Sequence, residues 1–335
     1  MKKVKYDDLL SIDKIINTYK RIVKNTKHKE KIFTYNMFYT TNILNIYNVL
    51  KDKNYVHGRY NIFIIKKPKL RLIMSENLSD KIVNHLVSYL ILPIIEPKLI
   101  DTNVATRINK GTKEAIYYMK KYLIKMKRKY NDFYILKCDI KKYFYNIDHE
   151  ILYNKLKKTI YDKDILGLLK SIIDSTDREY VNETIKKLNK DVPIYNKGKG
   201  LPIGNMSSQL FAIFYLNELD HFIKEKLRIK YYIRYMDDFI LIHKDKEYLK
   251  YCKLEIEKFL KQEKLELNKK TNIHKINNGI VFLGYKYKFK NNKLLILMTS
   301  NNKIKARKNV KNYNGYLKYV NCNKFKMIYK YYLLK

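Results

Sequence analysis

Apolar residues recur at two different spacings along this chain, and the change between them predicts a mixed α and β fold. In residues 12–50, isoleucine, leucine and tyrosine recur every three or four positions, which predicts helices packed by one face. Residues 62–65 and 70–74 are instead short β-prone runs, separated by a Lys-Lys-Pro-Lys turn at 66–69. The first part of the chain is therefore predicted to form helices followed by a cationic hairpin.

Two long helical patterns follow this hairpin. Residues 76–99 predict a buried helix that Pro93 and Pro97 bring to an end. The apolar run inside it, residues 86–95, is too short by this prediction to span a bilayer. A basic amphipathic helix comes next, with Thr112 as its predicted N-cap.

A strand and a second hairpin carry the most distinctive polar residues. Residues 132–140 predict a strand that ends in Asp139. In residues 230–242, two β-rich runs flank a two-residue break at Met236 and Asp237, which predicts a tight β-hairpin. The hairpin therefore places two adjacent carboxylates at its turn.

The segments around this hairpin complete an α+β pattern. Residues 148–190 are predicted to be helical, and residues 191–204 form the loop richest in glycine and proline in a chain with nine glycines and five prolines. Backbone in such a loop can approach a ligand closely. After the hairpin come a helix at 246–261, a strand-like segment at 265–271 and a short hairpin around 281–285.

The charge of the chain points to a polyanionic partner. The chain has 71 Lys and Arg against 32 Asp and Glu, a formal net charge of +39. An A/T-rich genome would enrich Lys and Tyr, but it would not remove acidic residues, and residues 267–335 hold 17 Lys or Arg and no Asp or Glu. A surface of one sign with interleaved Tyr and Phe predicts nucleic-acid binding, with a membrane surface as the alternative.

The three cysteines are Cys138, Cys252 and Cys322, too far apart for a zinc pattern or a disulfide framework. The first ten residues lack the apolar segment of a signal peptide. A cytoplasmic location is therefore expected.

Three carboxylates, Asp139, Asp237 and Asp238, lie on two strand elements that can be neighbours in one antiparallel sheet. Adjacent carboxylates repel each other unless a cation lies between them, and hard divalent cations prefer oxygen ligands. Such a group suits a two-metal site for phosphoryl chemistry. A bare Asp-Asp pair is also consistent with a hydrated surface turn, so the pair alone leaves both interpretations open.

The Tyr-Met-Asp-Asp sequence at 235–238, preceded by Asp139 in an apolar strand, resembles the catalytic signature of reverse transcriptases. Further blocks occur in the order of that family. Residues 67–71 and 106–111 resemble its fingers blocks, 139–149 motif A, 200–209 motif B, 268–271 motif D and 282–285 the primer grip. The Ile-Gly-x-x-x-Ser-Gln form at 203–209 is similar to enzymes of bacterial diversity-generating retroelements.

This resemblance implies a right-hand polymerase fold and bacterial or phage origin. The implied domains are N-terminal helices and fingers at 1–130, an antiparallel-sheet palm at 131–285 with a helical insertion at about 150–195, and a short, basic, helical thumb at 286–335. The implied activity is that of an RNA-directed DNA polymerase, a nucleotidyltransferase that adds dNTPs to a primer. Its implied partners are an RNA template, a DNA primer and an accessory protein or structured noncoding RNA, with no membrane.

The resemblance also implies site residues. Asp139, Asp237 and Asp238 would hold two Mg²⁺ ions, for which Mn²⁺ can substitute, with the Ile140 carbonyl as a further ligand and Lys270 as a catalytic proton donor. The implied nucleotide-binding residues are Lys66, Lys67, Lys69, Arg71, Phe144 as a gate against the ribose 2′-hydroxyl, Ile203, Gly204 and Gln209. The implied nucleic-acid-binding residues are Arg107, Lys110, Tyr235, Met236, Phe282, Leu283, Gly284 and Tyr285.

Three functions remain open from the sequence. The first is the error-prone enzyme of a diversity-generating retroelement, since Ile203 supplies no amide to check the incoming nucleotide. The second is an antiviral defence reverse transcriptase with a dedicated noncoding RNA or atypical templating. The third is a non-catalytic nucleic-acid-binding protein on the same fold, against which the intact Asp139, Asp237 and Asp238 argue.

Overall fold

The structure is a computed structural model that describes residues 4–26, 29–66, 70–188, 191–308 and 317–320. The helices are α1 (Ile12–Asn25), α2 (Lys29–Met37), α3 (Tyr39–Lys51), α4 (Leu78–Ile95), α5 (Thr112–Lys129), α6 (Tyr143–Asn146), α7 (His149–Lys157), α8 (Lys163–Ile173), α9 (Glu179–Leu188), α10 (Met206–Tyr215), α11 (Asn217–His221), α12 (Lys246–Gln262) and α13 (Ser300–Lys308). The strands are β1 (Asn61–Ile65), β2 (Arg71–Ser75), β3 (Tyr134–Asp139), β4 (Tyr231–Tyr235), β5 (Asp238–His243), β6 (Asn272–Lys275), β7 (Ile280–Phe282), β8 (Tyr285–Lys290) and β9 (Lys293–Met298).

The chain forms two compact units, each assembled from three separate segments. One unit contains Met1–Ile100, Lys142–Glu218 and Lys261–Leu265, and the other contains Asp101–Lys141, Leu219–Leu260 and Glu266–Lys335. Segments distant in sequence interleave within each unit, so neither unit is one continuous stretch of the chain. The domain boundaries expected after residues 130 and 285 remain predictions.

The first unit is largely helical and is built around α4, which packs against α1 and α10. Its strands β1 and β2 form the predicted antiparallel hairpin, with Ile62 opposite Met74. The expectation that Pro93 ends the helix is wrong, because Pro93 lies inside α4. Ile94 and Ile95 beyond it are buried, at 8% and 0% exposure, so packing outweighs the hydrogen bond that proline cannot make.

Helix α4 and the 3₁₀ turn after it correct the prediction that this part of the chain is too short to span a bilayer. Residues Leu78–Lys98 are long and apolar enough, by length and composition, to cross a bilayer, although the apolar run at 86–95 alone was expected to be too short. However, 56% of the 18-residue apolar segment within it is buried inside the protein. Its contacts with α1 and α10 are those of the core helix of a folded unit.

The second unit contains two antiparallel sheets that share one apolar core. The four-stranded sheet has the order β4-β5-β3-β6, and the three-stranded sheet has the order β7-β8-β9. Helix α5 begins after Gly111 as its N-cap and not after Thr112 as expected. Gly111 has φ +130°, a backbone conformation that residues with a Cβ rarely adopt.

Two segments of the second unit differ from their predictions. The strand-like segment 265–271 is a loop whose Leu267 forms a single bridge to Ile140. The start of the expected helical thumb forms strands β8 and β9, because Tyr285 and Tyr287 alternate into the core in a period of two. Helix α13 follows, and residues 309–316 and 321–335 lie outside the described residues.

Candidate active site

The turn between β4 and β5 places carboxylates at one end of the four-stranded sheet. Tyr235 pairs with Asp238, so Met236 and Asp237 form the turn, which confirms the predicted two-residue break. On the other side of β5, Asp238 pairs with Asp139 at the end of β3. The fold thus brings together carboxylates that are about 100 residues apart in the sequence.

Asp238 lies in an electrostatically unfavourable position without a bound cation. Burial raises its pKa to about 7, and the charges of Asp139 and Asp237 act in the same direction, while Lys137 acts against them. Its Oδ1 atom is buried and has no hydrogen-bond partner among the described residues. Because an unpartnered buried carboxylate oxygen is costly, the donor set fits a divalent cation with oxygen ligands.

A loop from the neighbouring part of the sheet holds the backbone of Asp139. The Asn268 amide donates to the Asp139 carbonyl oxygen at 2.7 Å, and the Asp139 amide donates to Thr271 Oγ1 at 3.3 Å. Lys270 is exposed in the same loop, and its role as a proton donor remains a prediction. Residues 268–271 match a family motif, but sequence reasoning missed that Asn268 and Thr271 position Asp139. The available signal was a hydrogen-bonding residue at each end of this motif.

Ile140 lies beside the tip of the hairpin. Its amide donates to the Asp237 carbonyl oxygen at 3.3 Å, which ties the end of β3 to the turn. The use of the Ile140 carbonyl oxygen as a metal ligand remains a prediction.

A buried ion pair supports the turn from below, and sequence reasoning did not identify it. Arg234 Nε and Nη2 each lie 2.6 Å from a different carboxylate oxygen of Asp220, and both side chains are 0% exposed. Arg234 Nη1 also donates to the Met236 carbonyl oxygen at 3.0 Å. The hydroxyl of Tyr232 donates to the same Asp220 at 2.7 Å. A charged residue within an apolar strand was the signal that could have revealed this support.

Lys137 connects the aspartates to the second sheet of the same unit. Its Nζ donates to the Val281 carbonyl oxygen at 3.0 Å and lies 3.6 Å from Asp238 Oδ2. It lies on β3 two residues before Asp139, so both side chains project from the same face. The sequence pattern showed this alternation but suggested no role for the lysine.

The predicted primer-grip segment is a tight hairpin, as expected. Phe282 pairs with Tyr285, and the two residues between them, Leu283 and Gly284, have φ +49° and +82°. Positive φ at both central positions matches the right-handed twist of the flanking strands. A Cβ at Gly284 would collide with the side chain of Asn302, so this position requires glycine. Phe282 and Tyr285 are buried in the core, and their contact with a primer remains a prediction.

Two of the predicted nucleic-acid contacts point onto the protein itself. Arg107 is 8% exposed, and its Nη1 donates to the Asn103 carbonyl oxygen at 2.8 Å. Lys110 Nζ donates to the Asp101 carbonyl oxygen at 2.8 Å. Both contacts lie within the loop that precedes α5 in the second unit, and the roles of these side chains toward nucleic acid remain predictions.

In the first unit, the Gly/Pro loop packs against two other predicted pocket segments. The Leu201 amide donates to the carbonyl oxygen of Phe144, which is half-buried on α6. The Met74 amide of β2 donates to the Ile203 carbonyl oxygen at 3.1 Å. Gly204 has φ +133°, and a Cβ there would lie 3.3 Å from the Met74 carbonyl oxygen. The structure thus brings Phe144, Ile203 and Gly204 into one region of this unit.

The remaining predicted nucleotide contacts also belong to the first unit. Gln209 is half-buried in α10, and Arg71 and Lys66 are exposed at the end of the β1-β2 hairpin. Lys67 and Lys69 lie outside the described residues. The binding roles of all five residues remain predictions.

With this geometry established, comparison with known proteins decides the family. The family described as "Reverse transcriptase (RNA-dependent DNA polymerase)" matches residues 64–287. The chain belongs to the reverse transcriptase family. The matched domain is that of an RNA-directed DNA polymerase, a nucleotidyltransferase class, and domains of this kind use divalent metal ions.

Solved structures show the same fold at low sequence identity. Telomerase from Candida albicans in complex with the TWJ fragment of telomeric RNA matches with a TM-score of 0.50 at 13% identity, over 75% of this chain and 46% of that chain. Apo telomerase from Candida tropicalis, truncated from its C-terminal domain, matches with a TM-score of 0.50 at 16% identity, over 73% of this chain and 58% of that chain.

The reverse transcriptase therefore spans about half the length of the telomerase chains that it matches. At these identities the likeness shows the fold alone, and it confirms the predicted α+β polymerase fold. A search of curated proteins found no match.

Proposed function

We propose that this reverse transcriptase is an RNA-templated DNA polymerase that extends a primer with dNTPs through a two-metal mechanism. The observation that carries this proposal is the juxtaposition of Asp139 and Asp238 across β3 and β5, with a buried Asp238 oxygen that lacks a partner among the described residues. Asp237 joins them from the turn. The three carboxylates would hold the divalent cations, which activate a primer 3′-hydroxyl and stabilise the leaving pyrophosphate.

The surrounding residues would keep this site rigid during catalysis. Asn268 and Thr271 hold the backbone of Asp139, and Arg234 holds the carbonyl oxygen of Met236 in the turn. Fixed ligands of this kind need little reorganisation as charge develops in the transition state. The presence of all three carboxylates, Asp139, Asp237 and Asp238, supports catalysis over a role in binding alone.

The proposed partners are an RNA template, a DNA primer and dNTPs. The excess of 71 basic over 32 acidic residues supports contact with a nucleic-acid backbone. One telomerase of similar fold was solved with an RNA fragment. Phe144, half-buried beside the Gly/Pro loop, is the proposed gate that favours dNTPs over ribonucleotides.

Primer extension on an RNA template tests the polymerase function. The parent protein is expected to extend a DNA primer with Mg²⁺ and dNTPs, whereas Asp237→Asn should not, because one metal ligand loses its charge. Asp132→Asn is a matched control, since Asp132 is a surface carboxylate 2.7 Å from Lys275 Nζ. If the parent and Asp237→Asn incorporate dNTPs equally, the enzymatic proposal fails. If neither incorporates dNTPs but both bind the primer–template, the protein is a binding module.

The proposal extends to the subtype of reverse transcriptase, the error-prone enzyme of a diversity-generating retroelement. Its support is the apolar Ile203 and the Gln209 at the end of the same motif. The Ile203 carbonyl oxygen accepts from the Met74 amide, and the Ile203 side chain has no amide with which to contact the nucleotide.

Substitution of Ile203 tests this subtype. In Ile203→Gln, one added hydrogen bond should lower misincorporation opposite template adenine by about 2- to 10-fold. Ile203→Leu keeps an apolar side chain and should keep the parental error rate. Error rates are measured by sequencing the products. Equal error rates in all three proteins would contradict the proposal that the apolar Ile203 side chain causes low fidelity.

A further inference from the structure

His149 holds a buried ring nitrogen without a hydrogen-bond partner. It is the first residue of α7 and is 4% exposed, and its Nε2 lies 2.7 Å from the Gly200 carbonyl oxygen. A carbonyl oxygen only accepts, so Nε2 carries a proton, and in the neutral form of the ring Nδ1 presents a lone pair. Nδ1 has no hydrogen-bond partner among the described residues.

Two carboxylates face this nitrogen. Asp174 Oδ1 lies 3.2 Å and Asp177 Oδ2 lies 3.5 Å from His149 Nδ1. The ligand atoms of the three residues all lie within 4.8 Å of one another. Three atoms that each direct a lone pair toward one point repel each other unless a cation lies between them.

Each of the three side chains also has a hydrogen-bond partner outside the group that orients it. Lys170 Nζ lies 2.7 Å from the other oxygen of Asp174, and the Gly198 amide donates to both oxygens of Asp177 at 2.9 and 3.1 Å. Gly200 fixes the ring of His149 in the same way. Partners that orient the ligands, including a carbonyl bound to the second nitrogen of a histidine, are a regular feature of metal sites.

We propose that His149, Asp174 and Asp177 bind a divalent transition-metal ion, for which Zn²⁺ fits best. Ligands about 2.0–2.2 Å from a tetrahedral Zn²⁺ are about 3.3–3.6 Å from one another, close to the two separations from Nδ1. Octahedral Mg²⁺ would bring neighbouring ligands to about 2.9 Å, and it rarely takes an imidazole ligand. A water molecule would complete the zinc coordination.

The ion would stabilise the Gly/Pro loop of the first unit. The site joins the start of α7 to the 3₁₀ turn Asp174–Asp177 and, through Gly198 and Gly200, to the backbone of the loop at 191–204. A metal bound at three protein ligands contributes directly to the stability of the segments it joins. This site therefore has a structural role that does not depend on the proposed polymerase function.

Zinc titration of the full chain tests the proposal. The purified protein is stripped with a chelator and titrated with Zn²⁺ by calorimetry in excess Mg²⁺, which occupies sites made only of oxygen ligands. The parent should bind one Zn²⁺ per chain. The double variant Asp174→Asn/Asp177→Asn should bind it at least about 10- to 100-fold more weakly. Asparagine keeps an oxygen that accepts the hydrogen bonds from Lys170 and Gly198, so the fold is expected to persist.

A matched control and a spectroscopic readout complete the experiment. Asp164→Asn removes an exposed carboxylate that pairs with Lys53 in the same unit, and it should leave zinc affinity unchanged. Co²⁺ in place of Zn²⁺ should give the visible absorption of a tetrahedral site in the parent, and His149→Gln should lose it. The proposal is overturned if the parent binds no Zn²⁺, or if the double variant binds it as tightly as the parent. A parent that binds no Zn²⁺ and shows a charged His149 by NMR at neutral pH would mean that the imidazolium itself bridges the two aspartates.

Discussion

Two groups of candidate metal ligands in this protein differ in how they are prepared for a cation. The group in the first unit, His149, Asp174 and Asp177, is the trio of the described residues whose ligand atoms all lie within 4.8 Å. The group in the second unit, Asp139 and Asp238 with the turn aspartate, is positioned through its backbone by strand pairing. A site whose ligands already converge suits an ion that stays, whereas a site whose carboxylates are held by strand pairing without converging suits ions that arrive with a substrate.

The largest expected effect separates the two groups by activity. Asp139→Asn should lower primer extension by about 10³-fold, because loss of a metal ligand removes several kcal/mol of transition-state stabilisation. The same preparation should bind Zn²⁺ with parental affinity, since His149, Asp174 and Asp177 are unchanged. Single-turnover extension and zinc calorimetry measure the two properties. Loss of zinc binding in Asp139→Asn would contradict the assignment of separate sites.

A second prediction compares the ion pairs that support the two groups. Arg234→Met leaves the charge of Asp220 buried without its partner, and it should lower the free energy of unfolding by about 3–5 kcal/mol. Lys170→Met breaks an exposed pair with Asp174, and without zinc it should cost less than about 1 kcal/mol. Urea unfolding in the presence of a chelator measures both. A small effect of Arg234→Met would show that the turn does not depend on this pair.

The third prediction concerns the pH dependence of the metal-free protein. Burial raises the pKa of Asp238 to about 7, above its ordinary value of about 3.9, so the folded state holds this proton more tightly than the unfolded chain. The free energy of unfolding should therefore fall as the pH rises from about 4 to about 7, by about 3 kcal/mol.

Asp238→Asn is the control for this pH dependence. It cannot ionise, so the fall attributed to Asp238 should be absent from its unfolding curves measured in a chelator. An identical pH dependence in the parent and Asp238→Asn would rule out this carboxyl as the source.

The smallest predicted effect tests the loop that holds Asp139. Thr271→Val keeps the shape of the side chain but removes the oxygen that accepts from the Asp139 amide. The loss of this hydrogen bond should lower the free energy of unfolding by about 1 kcal/mol and, by the same amount of lost positioning, the rate of primer extension by about 5-fold. Thr271→Ser retains the hydroxyl and should restore most of the rate. A full rate in Thr271→Val would show that strand pairing alone positions Asp139.

Local patterns predicted the elements of the site well where short-range physics dominates. The break at Met236 and Asp237 is visible because β-prone runs lie on both sides, and the turn of Leu283 and Gly284 follows from the same logic. The helical thumb was predicted wrongly at its start, where Tyr285 and Tyr287 alternate into a sheet that β9 completes. A strand such as β8 forms only when a second strand pairs with it, and the local sequence does not specify that second strand.

The sequence by itself determined the family, the order of its motifs, the hairpin that carries Asp237 and Asp238, and the basic character of the chain, since these depend on residue types and short spacings. Only the tertiary structure decided which side chains meet. It placed Asp238 opposite Asp139, set Arg234 against Asp220 beneath the turn, and brought His149 to Asp174 and Asp177. Side-chain contacts of this kind come from the packing of separate segments of the chain. A local pattern can mark a residue as unusual, such as a charge within an apolar strand, but it does not name the partner.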